Sequence, residues 1–201
     1  MFGGWWMHIP GELRGTITIN GQRVVELDYK NCHPRMLYAK RGLDYGGDLY
    51  ALPELAALED ATGSAPGTYR PYVKWLMQVL INGKGRPHAA DKPDHITMPP
   101  GLTVGEIVGF IEVRHQPIAG DFKTGAGLEL MRLESDIAIE IVSTAMAEGW
   151  TVLSVHDSFI TTIDKQNRLR AMMIDAYVQR LGRNPIIKDE REEKLEIISN
   201  E

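Results

Sequence analysis

Two aspartates of the chain lie at points where a β-strand is expected to end. Asp28 closes the β-rich run Arg23–Asp28, and Asp157 lies in the tripeptide His-Asp-Ser at 156–158. The runs on both sides of that tripeptide are rich in branched and aromatic residues, which predicts two strands joined by a tight three-residue turn. A carboxylate held by rigid strands is well placed for catalysis. Asp and Ser are also ordinary turn formers, so this segment alone leaves both interpretations open.

The two carboxylates suggest a metal site if their strands are neighbours in one sheet. Magnesium prefers oxygen ligands and keeps its other coordination positions for water and phosphate. Two such ions about 3.5–4 Å apart can activate one oxygen and stabilise a leaving oxygen during phosphoryl transfer. We therefore expect Asp28 and Asp157 to be catalytic and to bind two Mg²⁺ ions, for which Mn²⁺ can substitute.

A predicted helix over residues 71–82 supplies candidate phosphate ligands. Its apolar residues repeat at helical spacing, which is typical of a helix with one buried face. A set of polar side chains at four-residue spacing lies along one edge of the helix, because residues four apart drift only about 40° around its axis. These residues are Arg70, Lys74, Gln78 and Asn82. The two cations among them could bind a triphosphate, although such a line is more often simply solvated. Pro71 disfavours helical backbone at Arg70.

The remaining patterns predict an α+β fold. Asn20-Gly21 is a strong hairpin signal, and Thr103 with Glu106 forms a capping box at the start of a helix. Apolar periodicity predicts further helices, at 54–60, 126–148 and 165–181. We expect a small antiparallel sheet, formed by the hairpins at 16–28 and 151–163 and backed by the last two helices.

The composition indicates a globular protein in a reducing compartment. Of the 201 residues, 43% are hydrophobic and 24% charged, which is ordinary for a soluble domain. Cys32 is the only cysteine, so an internal disulfide is excluded. The apolar run at 2–7 is too short for a signal peptide or a membrane span. We therefore expect a cytoplasmic protein without a membrane partner.

The charge distribution leaves a nucleic-acid partner open. The net charge is −5, and the last fourteen residues hold six acidic and three basic side chains, which contribute −3 of it. The rest of the chain is close to neutral and carries basic clusters at 30–41 and 70–86. Phosphate binding depends on where positive charge lies more than on the total, so composition neither supports nor excludes a polynucleotide.

The order and spacing of the motifs resemble the palm and part of the fingers of family A DNA polymerases and the related single-subunit phage RNA polymerases. Their first motif, a strand-terminal Asp before a helix, is matched by D-Y-K-N-C-H-P from Asp28. Their second motif is Arg, three residues, Lys, seven residues, an aromatic residue and Gly, and it is matched by Arg70 and Lys74. Their third motif, a hairpin bearing His-Asp, is matched by V-H-D-S-F with Asp157. Compact polymerase-like proteins of phages and plasmids are similar in the stretches F-G-G-W-W, H-P-R-M-L-Y and V-H-D-S-F.

The resemblance implies metal and nucleotide ligands. The carboxylates of Asp28 and Asp157 and the backbone carbonyl of Tyr29 would bind the metal ions. The nucleotide would be bound along the predicted helix edge, by Arg70, Lys74, Gln78 and Asn82. His33 would lie against the 2′ position of the sugar and exclude a ribose hydroxyl, which favours deoxynucleotides. The alternative for His33 is a helix-start residue ahead of Pro34.

The resemblance also implies contacts with nucleic acid. His156 would help to seat the primer terminus, and Glu134 and Ser135 would contact template or primer from the long helix. Hydrogen bonding within the protein is the alternative for Glu134 and Ser135.

Two residues and the length of the chain depart from the family pattern. Asn82 replaces the aromatic residue that helps to select the sugar, and Ser158 replaces an acidic residue common in the DNA enzymes and matches the RNA enzymes. The family's thumb precedes its first motif, and only 27 residues precede Asp28. We therefore expect a palm-like domain at 1–187 with a fingers-like insertion at about 43–102. The chain would be a fragment, a subunit whose protein partner or oligomer supplies the missing thumb, or a very reduced enzyme. An acidic tail at 188–201 is expected to be a fraying helix or unstructured.

The expected function is template-directed nucleotidyl transfer, with DNA synthesis favoured. One alternative is an RNA polymerase or primase-like enzyme, and another is a non-catalytic palm remnant that binds nucleic acid. A two-metal nuclease is less favoured, because the sequence offers two carboxylates but no further acidic ligands and no clear base for that chemistry.

Overall fold

Two units make up the chain. The computed structural model describes residues 4–85 and 92–189. The first unit contains the described residues up to Cys32 and those from Met131 onwards, and the second contains His33–Leu130. The insertion expected at 43–102 lies within the second unit, which extends beyond it on both sides. The first unit is therefore built from two separate parts of the chain.

An antiparallel sheet lies at the centre of the first unit. In the described part of the chain its strands are β1 (Thr18–Ile19), β2 (Gln22–Tyr29), β3 (Leu153–Val155), β4 (Ser158–Thr162) and β5 (Ile187–Asp189). The order is β1-β2-β4-β3, and β5 also pairs with β2. One edge of β2 is thus occupied by β4, and the other by β1 and then β5. The small antiparallel sheet of an α+β fold is confirmed.

Both predicted hairpins are present, and each has a two-residue loop. In the first, Asn20 and Gly21 have φ values of 51° and 76°, the positive pair that a type I′ turn requires. In the second, Val155 pairs with Ser158, so the loop contains only His156 and Asp157. The predicted three-residue turn was wrong because Ser158, although polar, is buried in β4 and donates a hydrogen bond to a neighbouring strand.

The helical face of the sheet packs against α7 (Gln166–Leu181). The Tyr29 hydroxyl donates to the Met173 carbonyl at 2.6 Å, and the Tyr29 ring contacts Tyr177. Arg180 of α7 pairs with Glu140 and joins α7 to α6 (Gly127–Ala147). The two long predicted helices are present, and α7 is the one that these contacts join to the sheet.

An N-terminal segment packs against the opposite face. It contains a 3-10 helix (Trp5–His8) and α1 (Gly11–Arg14). Trp6 and Ile9 pack on an apolar cluster formed by Ile17, Val24, Val155 and Ile160. The Trp6 indole N–H also donates to the Ser154 carbonyl at 3.1 Å, which ties the segment to β3.

The second unit is helical in its described part. It contains most of α2 (Cys32–Lys40), all of α3 (Pro53–Thr62), α4 (Arg70–Asn82) and α5 (Val104–Arg114), and a 3-10 helix (Gln116–Asp121). The apolar stripe predicted for α4 is buried, and it comprises Tyr72, Val73, Leu76, Met77, Leu80 and Ile81. The capping box predicted for α5 is present: Thr103 Oγ1 accepts from the Glu106 N–H at 3.2 Å, and the Thr103 N–H donates to the Glu106 carboxylate at 2.8 Å.

The start of α4 differs from the prediction, because Arg70 is its first residue despite Pro71. Glu59 of α3 is buried and accepts from the backbone N–H groups of Gly67 at 2.8 Å and Tyr69 at 2.9 Å. The Asp48 carboxylate accepts from Arg70 Nε and Nη2. These contacts fix the chain before α4 and outweigh the steric preference of a residue that precedes proline.

Lys188 and Asp189, which the sequence places in the acidic tail, belong to β5. Asp189 is buried and accepts from Gln166 Nε2 at 2.8 Å, and Arg170 donates to the Ile187 carbonyl at 3.1 Å. Residues 190–201 lie outside the described residues, as does Arg86 of the second basic cluster. Within the described ranges, no helix combines the length and apolar character needed to cross a bilayer.

Candidate active site

Asp28 and Asp157 lie at the same end of the sheet on adjacent strands. Asp28 of β2 is directly opposite Ser158 of β4, and the Tyr29 N–H donates to the Asp157 carbonyl at 3.2 Å. Asp157 immediately precedes Ser158, so the two aspartates are separated by one strand spacing of about 4.8 Å and one residue of the chain. Both residues are half-buried. The sheet thus brings together the two aspartates that the sequence singled out.

Glu134 shares the electrostatic environment of these aspartates. Burial raises the pKa of the Cys32 thiol, and the negative charges of Asp157, Glu134 and Asp28 raise it further. A charge weakens with distance, so the three carboxylates lie near the start of α2. Glu134, expected to contact primer or template, thus acts on the same thiol as the two aspartates, whereas Ser135 is exposed on α6.

The donors at this end of the sheet fit a hard divalent cation. Within residues 4–85 and 92–189, no three His, Cys, Asp or Glu side chains are grouped so that they could hold a metal ion. The ligands expected from the sequence are the carboxylates of Asp28 and Asp157, with the Tyr29 carbonyl as a further ligand. Magnesium is usually bound by one or two carboxylates together with water and substrate phosphate, so this donor set suits Mg²⁺.

Lys188 brings a positive charge to the other side of β2. The register of β5 places Lys188 directly opposite Asp28. Residues paired in this way project to the same face with their β-carbons about 4.5–5.5 Å apart, and opposite charges there are favourable. Asp28 is consequently flanked by Ser158 on one neighbouring strand and Lys188 on the other. Lys188 was not identified from the sequence, because β5 is too short to show a period.

Glu26 lies two residues before Asp28 on the same face of β2. Its side chain is 12% exposed, and its Oε1 atom accepts from Arg14 Nη1 at 2.7 Å and from Ser158 Oγ at 2.6 Å. Arg14 Nε also donates to the Ile9 carbonyl at 3.2 Å. We call Arg14, Glu26 and Ser158 the Glu26 network. The two-residue alternation of a strand is the signal that could have identified Glu26 from the sequence.

His156 and Tyr29, the sequence neighbours of the two aspartates, differ in exposure. His156, the predicted primer contact, is exposed in the hairpin loop with a φ of 52°, a conformation uncommon for residues other than glycine. Tyr29 is buried, and burial raises the pKa of its hydroxyl, which stays protonated and anchors the end of β2 to α7. The sequence analysis considered only the carbonyl of Tyr29 and missed this anchor.

The predicted nucleotide ligands lie in the second unit. On α4, Lys74 and Asn82 are exposed and Arg70 and Gln78 are half-buried, so this line avoids the buried stripe as predicted. Arg70 is paired with Asp48 and lies over the Tyr50 ring, with its guanidinium carbon 5.1 Å from the ring centroid. A triphosphate would compete with Asp48 for Arg70.

The C-terminal end of α4 is joined to the segment before α6. Asn82 packs on Gly127, where an added β-carbon would lie 1.9 Å from Asn82 Oδ1, so only glycine fits beside this amide. The Lys123 N–H donates to the Leu80 carbonyl at 2.6 Å. Asn82 therefore occupies a constrained position. His33, the predicted sugar contact, is the second residue of α2 and is half-buried.

Two comparisons of the sequence with known proteins were made, and neither found a match. No protein family profile matches the sequence, and no curated protein does so either. The functional interpretation therefore depends on the motifs and on the geometry of the site.

Proposed function

We propose that this chain catalyses template-directed nucleotidyl transfer, and that the reaction is DNA synthesis by a palm-type polymerase core. The observation that carries the proposal is the register of β2 and β4, which sets Asp28 beside the loop that contains Asp157. The order of the three motifs along the chain supports it. The substrates would be deoxynucleoside triphosphates and a primer–template, and the cofactors two Mg²⁺ ions.

In the proposed reaction the 3′ oxygen of a primer bonds to the α-phosphorus of a nucleotide, pyrophosphate leaves, and the hydroxyl proton passes to solvent. Asp28, Asp157 and the Tyr29 carbonyl would hold the metal ions, which when bound favour loss of that proton and stabilise charge on the phosphates. Lys74 and Arg70 would neutralise the outer phosphates. Exposed on the loop, His156 would seat the primer end.

The choice of sugar separates the proposal from its main alternative. An imidazole at His33 would exclude a ribose hydroxyl and supports deoxynucleotides. Ser158 matches the related RNA enzymes and favours an RNA polymerase or primase-like enzyme. Extension of a labelled primer with each nucleotide set, and synthesis without a primer, distinguish these activities.

The first prediction concerns the two aspartates. Asp28→Asn and Asp157→Asn should each lower primer extension in Mg²⁺ by about a hundredfold or more, because each removes a charged metal ligand. The control is Asp175→Asn, at an exposed position on α7, which should extend normally. Mn²⁺ binding is measured as well, from the loss of the free-ion signal in electron paramagnetic resonance with a nucleotide present, so that the test does not depend on extension alone.

The results separate the enzyme from a non-catalytic palm remnant. Loss of both extension and Mn²⁺ binding in the two variants supports the proposal. A wild-type chain that binds primer–template but neither Mn²⁺ nor nucleotide would instead be a binding protein, and full activity of Asp28→Asn would contradict the assignment of the site.

A further inference from the structure

The Glu26 network lies directly beside the loop that contains Asp157. Because that loop has only two residues, Ser158 is both its C-terminal neighbour and the first residue of β4. Ser158 Oγ lies 2.6 Å from Glu26 Oε1 and 3.1 Å from the Val155 carbonyl on the other side of the loop. A hydroxyl has one proton, and the charged acceptor forms the stronger bond, so Ser158 donates to Glu26.

Glu26 is itself held in one orientation. A carboxylate with this little exposure is costly unless it is paired, and Arg14 supplies the pairing charge at 2.7 Å. Arg14 is in turn fixed by its bond to the Ile9 carbonyl. The network therefore links the N-terminal segment, β2 and β4 through contacts that converge on one oxygen atom.

We propose that Glu26 is a positioning residue of the metal site, which acts through the Ser158 hydroxyl to fix the loop that presents Asp157. This inference rests on the proposed function. Glu26 and Asp28 share a face of β2, and Ser158 is opposite Asp28. The bond between Glu26 and Ser158 thus crosses from the strand of one aspartate to the residue next to the other, and it sets the spacing of the two carboxylates.

Replacement of serines in the same hairpin tests this role. Ser158→Ala removes the donor and should raise the Mn²⁺ dissociation constant about tenfold, the loss expected for a hydrogen bond to a charged group. The matched control is Ser154→Ala on β3, whose hydroxyl is outside the network, and it should change the constant less than about twofold. Thermal unfolding of both variants is recorded, so that a loss of folded protein is recognised.

A second set of variants tests whether Ser158 acts through Glu26. Glu26→Ala should weaken Mn²⁺ binding as much as Ser158→Ala does, and the double variant should be no weaker than either, because both remove the same bond. Glu26→Gln keeps an acceptor oxygen and should restore part of the affinity. In primer extension, a high Mg²⁺ concentration should recover much of the activity of Ser158→Ala, since only metal binding is impaired.

The outcomes separate this inference from the proposed function. If the wild type binds Mn²⁺ and extends primers while Ser158→Ala matches Ser154→Ala, the positioning role is overturned and the polymerase proposal stands. Additive losses in the double variant, or a loss of activity that Mg²⁺ does not relieve, also overturn it by indicating a general structural role. A wild-type chain without Mn²⁺ binding or extension overturns the proposed function, and this inference with it.

Discussion

His115 is fully buried in the second unit and uses both of its ring nitrogens. Nε2 lies 2.9 Å from the Leu49 carbonyl, and Nδ1 lies 2.8 Å from the Tyr38 hydroxyl. A carbonyl only accepts hydrogen bonds, so Nε2 carries the proton and Nδ1 accepts from Tyr38. Burial raises the pKa of Tyr38 to about 12, so this donor persists at neutral pH. A second proton on His115 would occupy Nδ1, which could then no longer accept the hydrogen bond from Tyr38.

This arrangement predicts a stability that falls in mild acid. Burial, partly opposed by the Leu49 contact, lowers the pKa of His115 below its ordinary value of 6.5. Below about pH 6.5 the unfolded chain takes up a proton that the folded protein does not, so the free energy of unfolding decreases until the folded pKa is reached, by at most about 1.4 kcal/mol per pH unit. Urea unfolding at several pH values measures this slope.

Two histidine variants test whether His115 causes this pH dependence of the free energy of unfolding. His115→Gln should flatten the slope whatever its effect on total stability, and His95→Gln, at an exposed position, should leave it unchanged. An unaltered slope in His115→Gln would show that other groups cause the acid sensitivity.

At the residue scale, sequence identified the candidate ligands but not what holds them. Asp28 and Asp157 follow from strand ends and motif order. Glu26 was overlooked because an acidic residue in a strand shows no partner by itself. Its hydrogen-bond partners, Arg14 and Ser158, are 12 and 132 residues away in the sequence. Lys188 was overlooked because pairing between strands depends on tertiary structure, and β5 has only three residues.

Among the elements, α4 shows how a buried acid can define the start of a helix. Glu59 of α3 is 6% exposed, and its two oxygens each accept one backbone N–H from the segment before α4. Those N–H groups, on Gly67 and Tyr69, lie just ahead of Arg70. Without the carboxylate they would lose their partners inside the protein.

We therefore predict that Glu59→Ala lowers the free energy of unfolding by about 2–4 kcal/mol, since an unsatisfied buried donor costs about 1–3 kcal/mol. Glu59→Gln should lie between Ala and wild type, because an amide retains only one acceptor atom. The control, Glu54→Ala, is exposed in the first turn of the same helix and should cost less than about 1 kcal/mol. Denaturant unfolding measures all three, and equal losses in Glu59→Ala and Glu54→Ala would refute this role.

Elements with a strong local signal were predictable, and those fixed by distant contacts were not. The stripe of α4, the Asn20-Gly21 turn and the capping box of α5 are encoded within a few residues. The helical backbone at Arg70 depends on Asp48 and Glu59, so the local rule for a residue before proline failed there.

At the scale of the whole molecule, the second unit interrupts the first in sequence, and β5, which follows α7, pairs with β2. Removal of residues 187–201 should lower the melting temperature and weaken Mn²⁺ binding, because β2 loses the partner strand of Leu27–Tyr29 and Asp28 loses Lys188. Removal of 190–201 retains these contacts and is the control. Melting curves and Mn²⁺ titrations compare the two, and identical behaviour would contradict the importance of β5.

The pairing of β2 with β5, which are far apart in the sequence, has a consequence for synthesis on the ribosome. Leu27–Tyr29 of β2 are translated early, but their partners Ile187–Asp189 are translated only after the whole second unit. Until then the strand that bears Asp28 has an open edge, the kind of surface that promotes association between nascent chains. The strand pairing on both sides of Asp28 is therefore complete only after residues 187–189 have been translated, which makes shorter products prone to aggregation.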